Sequence, residues 1–431
     1  CRVEPIAPGE TSGDAPMRVR SYALRGVIGM ASDAELRHVE SAYFYRHEGE
    51  IGMPLLSGAR CHLDTGPLAA AFEDTTNSYK IFWFASILRL VQREPGVTSI
   101  SLDEVLVEML VSAWHPVCLY KLSLGSRDQI ATILMEVCER ERLKPSAQLR
   151  RVRAAIAQSA GVRDRLNELA KYVPTRFLTP WICDELSGVP DHKKDKLIAS
   201  MALRSQEGED PTPYWVQDRR VHFNQQWSNF LLSHAGLLRG FTSYHLIAYL
   251  QTRNPSVPGI PSKLRAPGQR SLRPARVFWE EVLRYAYASN AVADFFDIYS
   301  GAPLGSRFAI DHFIPWTFVA HDLQWNLAPV EGRSNSMKGD RLPALDAYLP
   351  RLAKLHAFAR PVMRHHPKVL SEFVDVLKCS PDEFLGMEFA PLLRLYESTF
   401  SPLVEIAARQ GFQSRWHWPG EPSVVIRTDG S

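Results

Sequence analysis

The sequence has little that could cross a membrane or staple a fold. Although 45% of its 431 residues are hydrophobic, no stretch reaches the roughly 18 uninterrupted apolar residues of a bilayer-spanning helix, which argues against a membrane role. The six cysteines (Cys1, Cys61, Cys118, Cys138, Cys183 and Cys379) lie far apart, and none forms a CxxC pair. That spacing argues against a zinc ribbon and a disulfide framework, and for a reducing cytoplasm. Charge of one sign is scarce too: the net is +3 and the pI about 8.5, short of the values above about 9 that mark a basic nucleic-acid-binding domain. A nucleic-acid surface would have to be local. Internal repeats and low-complexity tracts are absent.

At 431 residues the chain exceeds what one core usually organises, roughly 250 to 300 residues. The patterning predicts an α+β fold that is predominantly helical. Residues 1–16, "CRVEPIAPGETSGDAP", are polar and rich in Pro and Gly and read as a disordered leader or an extension before Met17. A helical domain is expected over 17–190, suited to recognition or partner docking. Within it, "YKIFWFASILRLVQR" (79–93) carries a broad apolar band at helical spacing, and Ser101 followed by Glu104 looks like a capping box. The basic run Arg140–Arg153 reads as a solvated helix face. A Gly, Pro and Asp-rich stretch suggests a domain transition near 187–214. A helical middle region follows over 210–300, then C-terminal helices over 346–420. The residues from "RWHWPG" on, and 421–431 in particular, are expected to be a loosely attached tail.

Between Arg253 and Arg276 the chain holds six basic residues (Arg253, Lys263, Arg265, Arg270, Arg273, Arg276), five prolines and no acid. Prolines and glycines exclude a long regular element, so the stretch is expected to be an extended basic arm. Such an arm suits either a solvated linker or a path along a phosphate backbone, with Lys263, Arg265, Arg270, Arg273 and Arg276 as the candidate nucleic-acid contacts.

The densest chemistry lies in "AIDHFIPWTFVAHDLQWNLAPVEGRSNSMKGDRLP", Ala309 to Pro343. Arg307–Ile314 reads as a strand broken by Pro315, a loop runs to Gln324, "WNLAPV" reads as a second strand, and "GRSNSMKGDRL" as a short helix that Pro343 helps terminate. Asp311 and His312 are adjacent on the first strand, so ideal geometry would point them to opposite faces, and a shared site would require a distorted strand. If Asp311 and Asn335 converge, they offer two oxygen ligands suited to a hard cation such as Mg²⁺, which leaves His312 free as a base near neutral pH. Taken singly, such a His is more often a satisfied structural residue, Asn326 a turn former, and Trp316 and Trp325 core. Nothing in the spacing recruits His321 and Asp322, which read as loop residues.

Taken together, Asp311-His312, Asn326 and Asn335 at this spacing resemble the His-Asn-His (HNH) endonuclease motif of the ββα-metal superfamily, in the version with Asn in third place. The segment is especially similar to the HNH domain of RNA-guided CRISPR effector nucleases: it shares the Asp-His, Pro315, Phe318 and the ending Asn335, Lys338, Asp340. "TTNSYKIFWF", "DIYSGAPL", "NSMKGDRLP" and "PLVEIAARQGF" look like stations along standalone bacterial HNH nucleases of about this length.

The resemblance implies a small ββα nuclease hairpin over 301–345, embedded among helical domains. It implies that Asp311 and Asn335 bind one Mg²⁺ or Mn²⁺, that His312 is the general base, that Asn326 orients the loop and the His, and that Lys338 meets phosphate or transition-state charge. The implied activity is hydrolysis of DNA to 5′-phosphate and 3′-hydroxyl ends, in a bacterial, defence-related role. The alternative is a nuclease-bearing subunit of a larger guided assembly, such as an HNH-fused large subunit of a type I CRISPR surveillance complex. Many HNH proteins brace the motif with two CxxC zinc pairs. None is present here, so the surrounding helices must hold the hairpin.

Overall fold

A computed structural model describes residues 63–420, apart from 74, 209, 266, 267, 269 and 270. The expected leader, the tail at 421–431 and Arg270 lie outside the described residues. The apolar band at 79–93 becomes helix α1 (Tyr79–Arg93), which buries residues on nearly every side, from Ile81 to Val91, as a central helix does. It packs against α2 (Leu102–Trp114) and α3 (Ala235–Arg253). Ser101 takes the N-cap position of α2 without a side-chain cap bond, and Glu104, which would close the box from its side, pairs instead with Arg93. The Arg140–Arg153 run is not wholly a solvated face: Arg153 joins Arg89 on the Glu108 carboxylate, which is 1% exposed and is neutralised from both sides.

Three short strands lie where the sequence pattern showed none. β1 (Ser99–Ser101), β2 (Tyr214–Gln217) and β3 (Arg220–Phe223) form an antiparallel sheet in the order β1-β3-β2. The β2–β3 turn puts Asp218 and Arg219 at positive φ, the primed turn that matches the twist of a tight hairpin. The stretch 187–214 contains a helix, Asp191–Arg204, which buries Ile198 and Ala202 and is tied down by Arg176 through Asp191 and Asp195.

The C-terminal half closes on its own core, from Ala275 to Trp416. Around it stand α4 (Arg273–Ala288), the hairpin β4 (Ala309–His312) and β5 (Leu327–Val330), α5 (Gly332–Lys338), α6 (Leu345–Phe358), α7 (Pro367–Leu377) and α8 (Phe389–Arg409). β4 and β5 pair antiparallel, from Ala309 opposite Val330 to His312 opposite Leu327, and all four β5 residues are buried.

Helices brace this hairpin from several directions. His356 on α6 donates from Nε2 to the Leu327 carbonyl at 3.1 Å and accepts at Nδ1 from the Tyr396 hydroxyl of α8 at 2.8 Å. Glu372 on α7 accepts from the Gln324 amide at 2.7 Å, and Arg351 on α6 donates to the Tyr299 carbonyl at 2.9 Å. From the first half of the chain, Tyr120 packs its ring 5.8 Å from Trp316, and Lys121 donates to the Gly411 carbonyl at 2.6 Å. The segment beyond Arg415 is not loose as far as Trp418. Trp416 is 7% exposed, exchanges backbone hydrogen bonds with Leu342 and Ala344, and sets its ring 5.1 Å from Tyr299.

Candidate active site

Asp311 and His312 close β4 in unbroken register with Ala328 and Leu327. The strand ends at His312 and the backbone bends at Phe313 and Ile314, so strand alternation does not fix the direction of the His312 side chain, and the two neighbours meet different partners. Asp311 is 4% exposed. Its Oδ2 accepts from the Tyr299 hydroxyl at 2.6 Å, while the Lys338 ammonium stands 3.1 Å from Oδ2 and 3.2 Å from Oδ1. Lys338 is itself buried and donates to the His312 carbonyl at 2.7 Å. Where the sequence suggested contact with phosphate, its charge neutralises Asp311 and its donors lock the end of β4 to α5. Burial and the Asp311 charge raise the Tyr299 hydroxyl well above its usual pKa, which keeps it a donor.

His312 Nε2 lies 2.8 Å from Asp322 Oδ1. Asp322 therefore is not a bystander in the loop. His321, beside it, rests its ring 5.3 Å from Trp325 and is pushed down to about 4, first by burial and then by His312, so it is neutral near pH 7. Asn326 is fully buried and clamps the backbone just past His312: its amide oxygen accepts from the Ile314 amide, its amide nitrogen donates to the Ile314 carbonyl, and its own carbonyl accepts from Phe313, each at 2.8 Å. These bonds hold the backbone at Phe313 and Ile314, and none of them reaches the imidazole.

Asn335 sits on α5 one turn before Lys338, half-buried, and its side chain finds no hydrogen-bond partner among the described residues. The start of α5 is fixed by Asp297, whose Oδ2 accepts from the Glu331 amide at 2.9 Å and the Ser334 hydroxyl at 2.6 Å; its Oδ1 accepts from the Tyr299 amide at 2.7 Å. This supplies from a distant loop the cap that α5 lacks locally. α5 ends at Gly339, where φ is +52°, a conformation that favours glycine; Pro343 plays no part in that ending. Asp297, Tyr299 and Asp322 are the residues that sequence reasoning missed. "DIYSGAPL", which holds the first two, was the only hint.

The basic arm is less extended than expected. Ile260–Leu264 is a 3₁₀ turn, and from Arg273 the chain is helical. Lys263 is fully buried over the Phe318 ring, 5.2 Å from its centroid. Its ammonium has no hydrogen-bond partner among the described residues, and burial pushes it down to about 7. Arg276 donates to the Phe308 carbonyl at 2.8 Å. Arg265 and Arg273 are exposed.

The two strands and the helix lie within a segment that matches one family model. Residues 297–344 match the family model of the HNH endonucleases. The chain carries an HNH endonuclease domain. The match begins at Asp297, the residue that anchors α5, and ends at Ala344, just past the motif. Neither a curated protein nor a solved structure matches the chain. An HNH domain is a nuclease domain, so nucleic acid is its substrate class. Among the described residues no helix is long and apolar enough to cross a membrane.

HNH nucleases generally use a divalent cation, and the donors can be tested for fit. Among the described residues no group of three or more His, Cys, Asp or Glu could hold a metal ion. What the motif offers is the Asp311 carboxylate and the unpartnered Asn335 amide, both hard oxygen donors. Donors of this type suit a small hard cation that keeps most of its own waters, and here the Asp311 carboxylate is also held by Lys338 and Tyr299.

Proposed function

We propose that this protein is a metal-dependent endonuclease that hydrolyses DNA phosphodiester bonds. The observation that carries the proposal is the gathering of Asp311, His312 and Lys338 at one end of a hairpin that Asn326 clamps and α5 closes. In this reading Asp311 and Asn335 hold one Mg²⁺ or Mn²⁺, which when bound supplies positive charge to the leaving 3′ oxygen. His312 takes a proton from the attacking water, so the products carry 5′-phosphate and 3′-hydroxyl ends. Asn326 keeps the base in place by fixing the backbone on either side of Ile314. Lys338 holds the Asp311 carboxylate and adds a cation to the site. Arg265 and Arg273 offer exposed charge to the DNA backbone. Lys263 and Arg276, engaged within the protein, are left out of that contact. A bacterial, defence-related role extends the same reading on the resemblance alone.

The test is cleavage of supercoiled plasmid by the purified chain with Mg²⁺ or Mn²⁺. Wild type is expected to nick or linearise it, and His312→Ala to be slower by about 10² to 10⁴-fold. Equal cutting by the two would overturn the assignment of the base. A chain inert alone but active with partner subunits would favour the guided-assembly alternative.

A further inference from the structure

A carboxylate can only accept a hydrogen bond, so the 2.8 Å contact between Asp322 Oδ1 and His312 Nε2 puts the proton of the neutral ring on Nε2. The lone pair is then on Nδ1, which has no hydrogen-bond partner among the described residues. Asp322 is held where it stands. The Gln324 amide two residues on is tied to Glu372, and Trp325 is packed against Phe400 with ring centroids 5.4 Å apart. The Asp322 side chain is 30% exposed and the imidazole 9%, so the pair sits at the rim, with the ring on the inner side.

We propose that Asp322 is the positioning residue of the base: it fixes His312 as the Nε2–H tautomer and presents Nδ1 as the atom that takes the proton from water. The proposal rests on the reading of His312 as general base. In the step, a water O–H bond breaks and its proton forms the Nδ1–H bond. The water oxygen bonds to phosphorus, and the P–O3′ bond breaks with its electron pair leaving on the 3′ oxygen, which takes a proton from solvent. The imidazolium so formed carries a proton on each nitrogen, and the Asp322 carboxylate faces its charge. Asp322 touches neither water nor phosphate in this scheme and acts only through the ring.

The experiment uses the ¹⁵N-labelled full chain and a supercoiled plasmid. Long-range ¹H–¹⁵N correlation of the His312 ring, assigned by its loss in His312→Gln, is expected to show a protonated Nε2 and a bare Nδ1 in wild type, and loss of that fixed pattern in Asp322→Asn. Asp322→Asn is expected to lower kcat by about 10 to 100-fold, a share of what a general base contributes, with KM for DNA unchanged and partial recovery in Asp322→Glu. Because Asp322 works through His312, adding Asp322→Ala to His312→Ala is expected to cost nothing further. An Nδ1–H tautomer in wild type, full activity in Asp322→Asn, or a further loss in the double variant would overturn the proposal. The wild-type tautomer reads out even where a variant fails to fold. If His312→Ala cuts like wild type, the base reading itself fails and this proposal with it. An inactive His312→Ala beside a fully active Asp322→Asn overturns the role of Asp322 alone.

Discussion

The Lys338–Asp311 pair shows how much of this site depends on single contacts. The two side chains are 0% and 5% exposed, so neither charge has water to fall back on. Removing one partner leaves the other buried and uncompensated, which costs about 3 to 5 kcal/mol. Lys338→Met should therefore lower the urea-unfolding free energy by that order, and adding Asp311→Asn should recover much of it; a single variant as stable as wild type would show that the pair is not buried in solution. At this scale the sequence spoke unevenly. Asp311, His312, Asn326 and Lys338 were legible because they occur close together at a fixed spacing. The partners that hold two of them were not: Tyr299 precedes Asp311 by a turn, and Asp322 reaches His312 only because the loop between the strands folds back. In sequence Lys263 looks like a surface cation, because its arm is rich in basic residues. A residue count cannot tell an exposed lysine from one packed over Phe318.

Secondary structure was legible in proportion to element length. α1, with fifteen residues, announces itself by periodicity, and so do the long C-terminal helices. Strands of three or four residues, such as β1 to β3, offer too few alternations to stand out from their surroundings. The ending of α5 was misjudged for a different reason, since a helix can stop at a glycine with positive φ well before the next proline. Between elements, His356 is the joint that binds β5 to α6 and α8. Burial pushes this imidazole down to about 4 from 6.5. Unfolded, it takes up a proton as the pH falls below 6.5; folded, it stays neutral until about 4, so acid across that window favours the unfolded chain. Stability measured by denaturant titration should fall between pH 6.5 and 4, and His356→Gln should flatten that slope; an unchanged slope would remove His356 from the linkage.

On the scale of the whole molecule, net charge singles out no nucleic-acid surface. With an overall balance of +3, contact with DNA would rest on a few exposed arginines near the nuclease domain. Replacing Arg265 and Arg273 with Ala should reduce the slope of log affinity against log salt by about 1.8, the amount for two phosphates on duplex DNA; an identical slope would make the segment a connector. The larger lesson concerns the motif's borders. The family match ends at Ala344, yet β5 is held by His356 and Tyr396, the interstrand loop by Glu372 and Tyr120, and the exit of α5 by Trp416. Zinc-braced versions of the motif carry their own scaffold in a few cysteines. Here the scaffold is spread over the polypeptide from Tyr120 to Trp416. The catalytic cassette is accordingly not portable: cut out as 297–344, it would leave its anchors behind, so transplanting the activity into another protein means transplanting the helices as well.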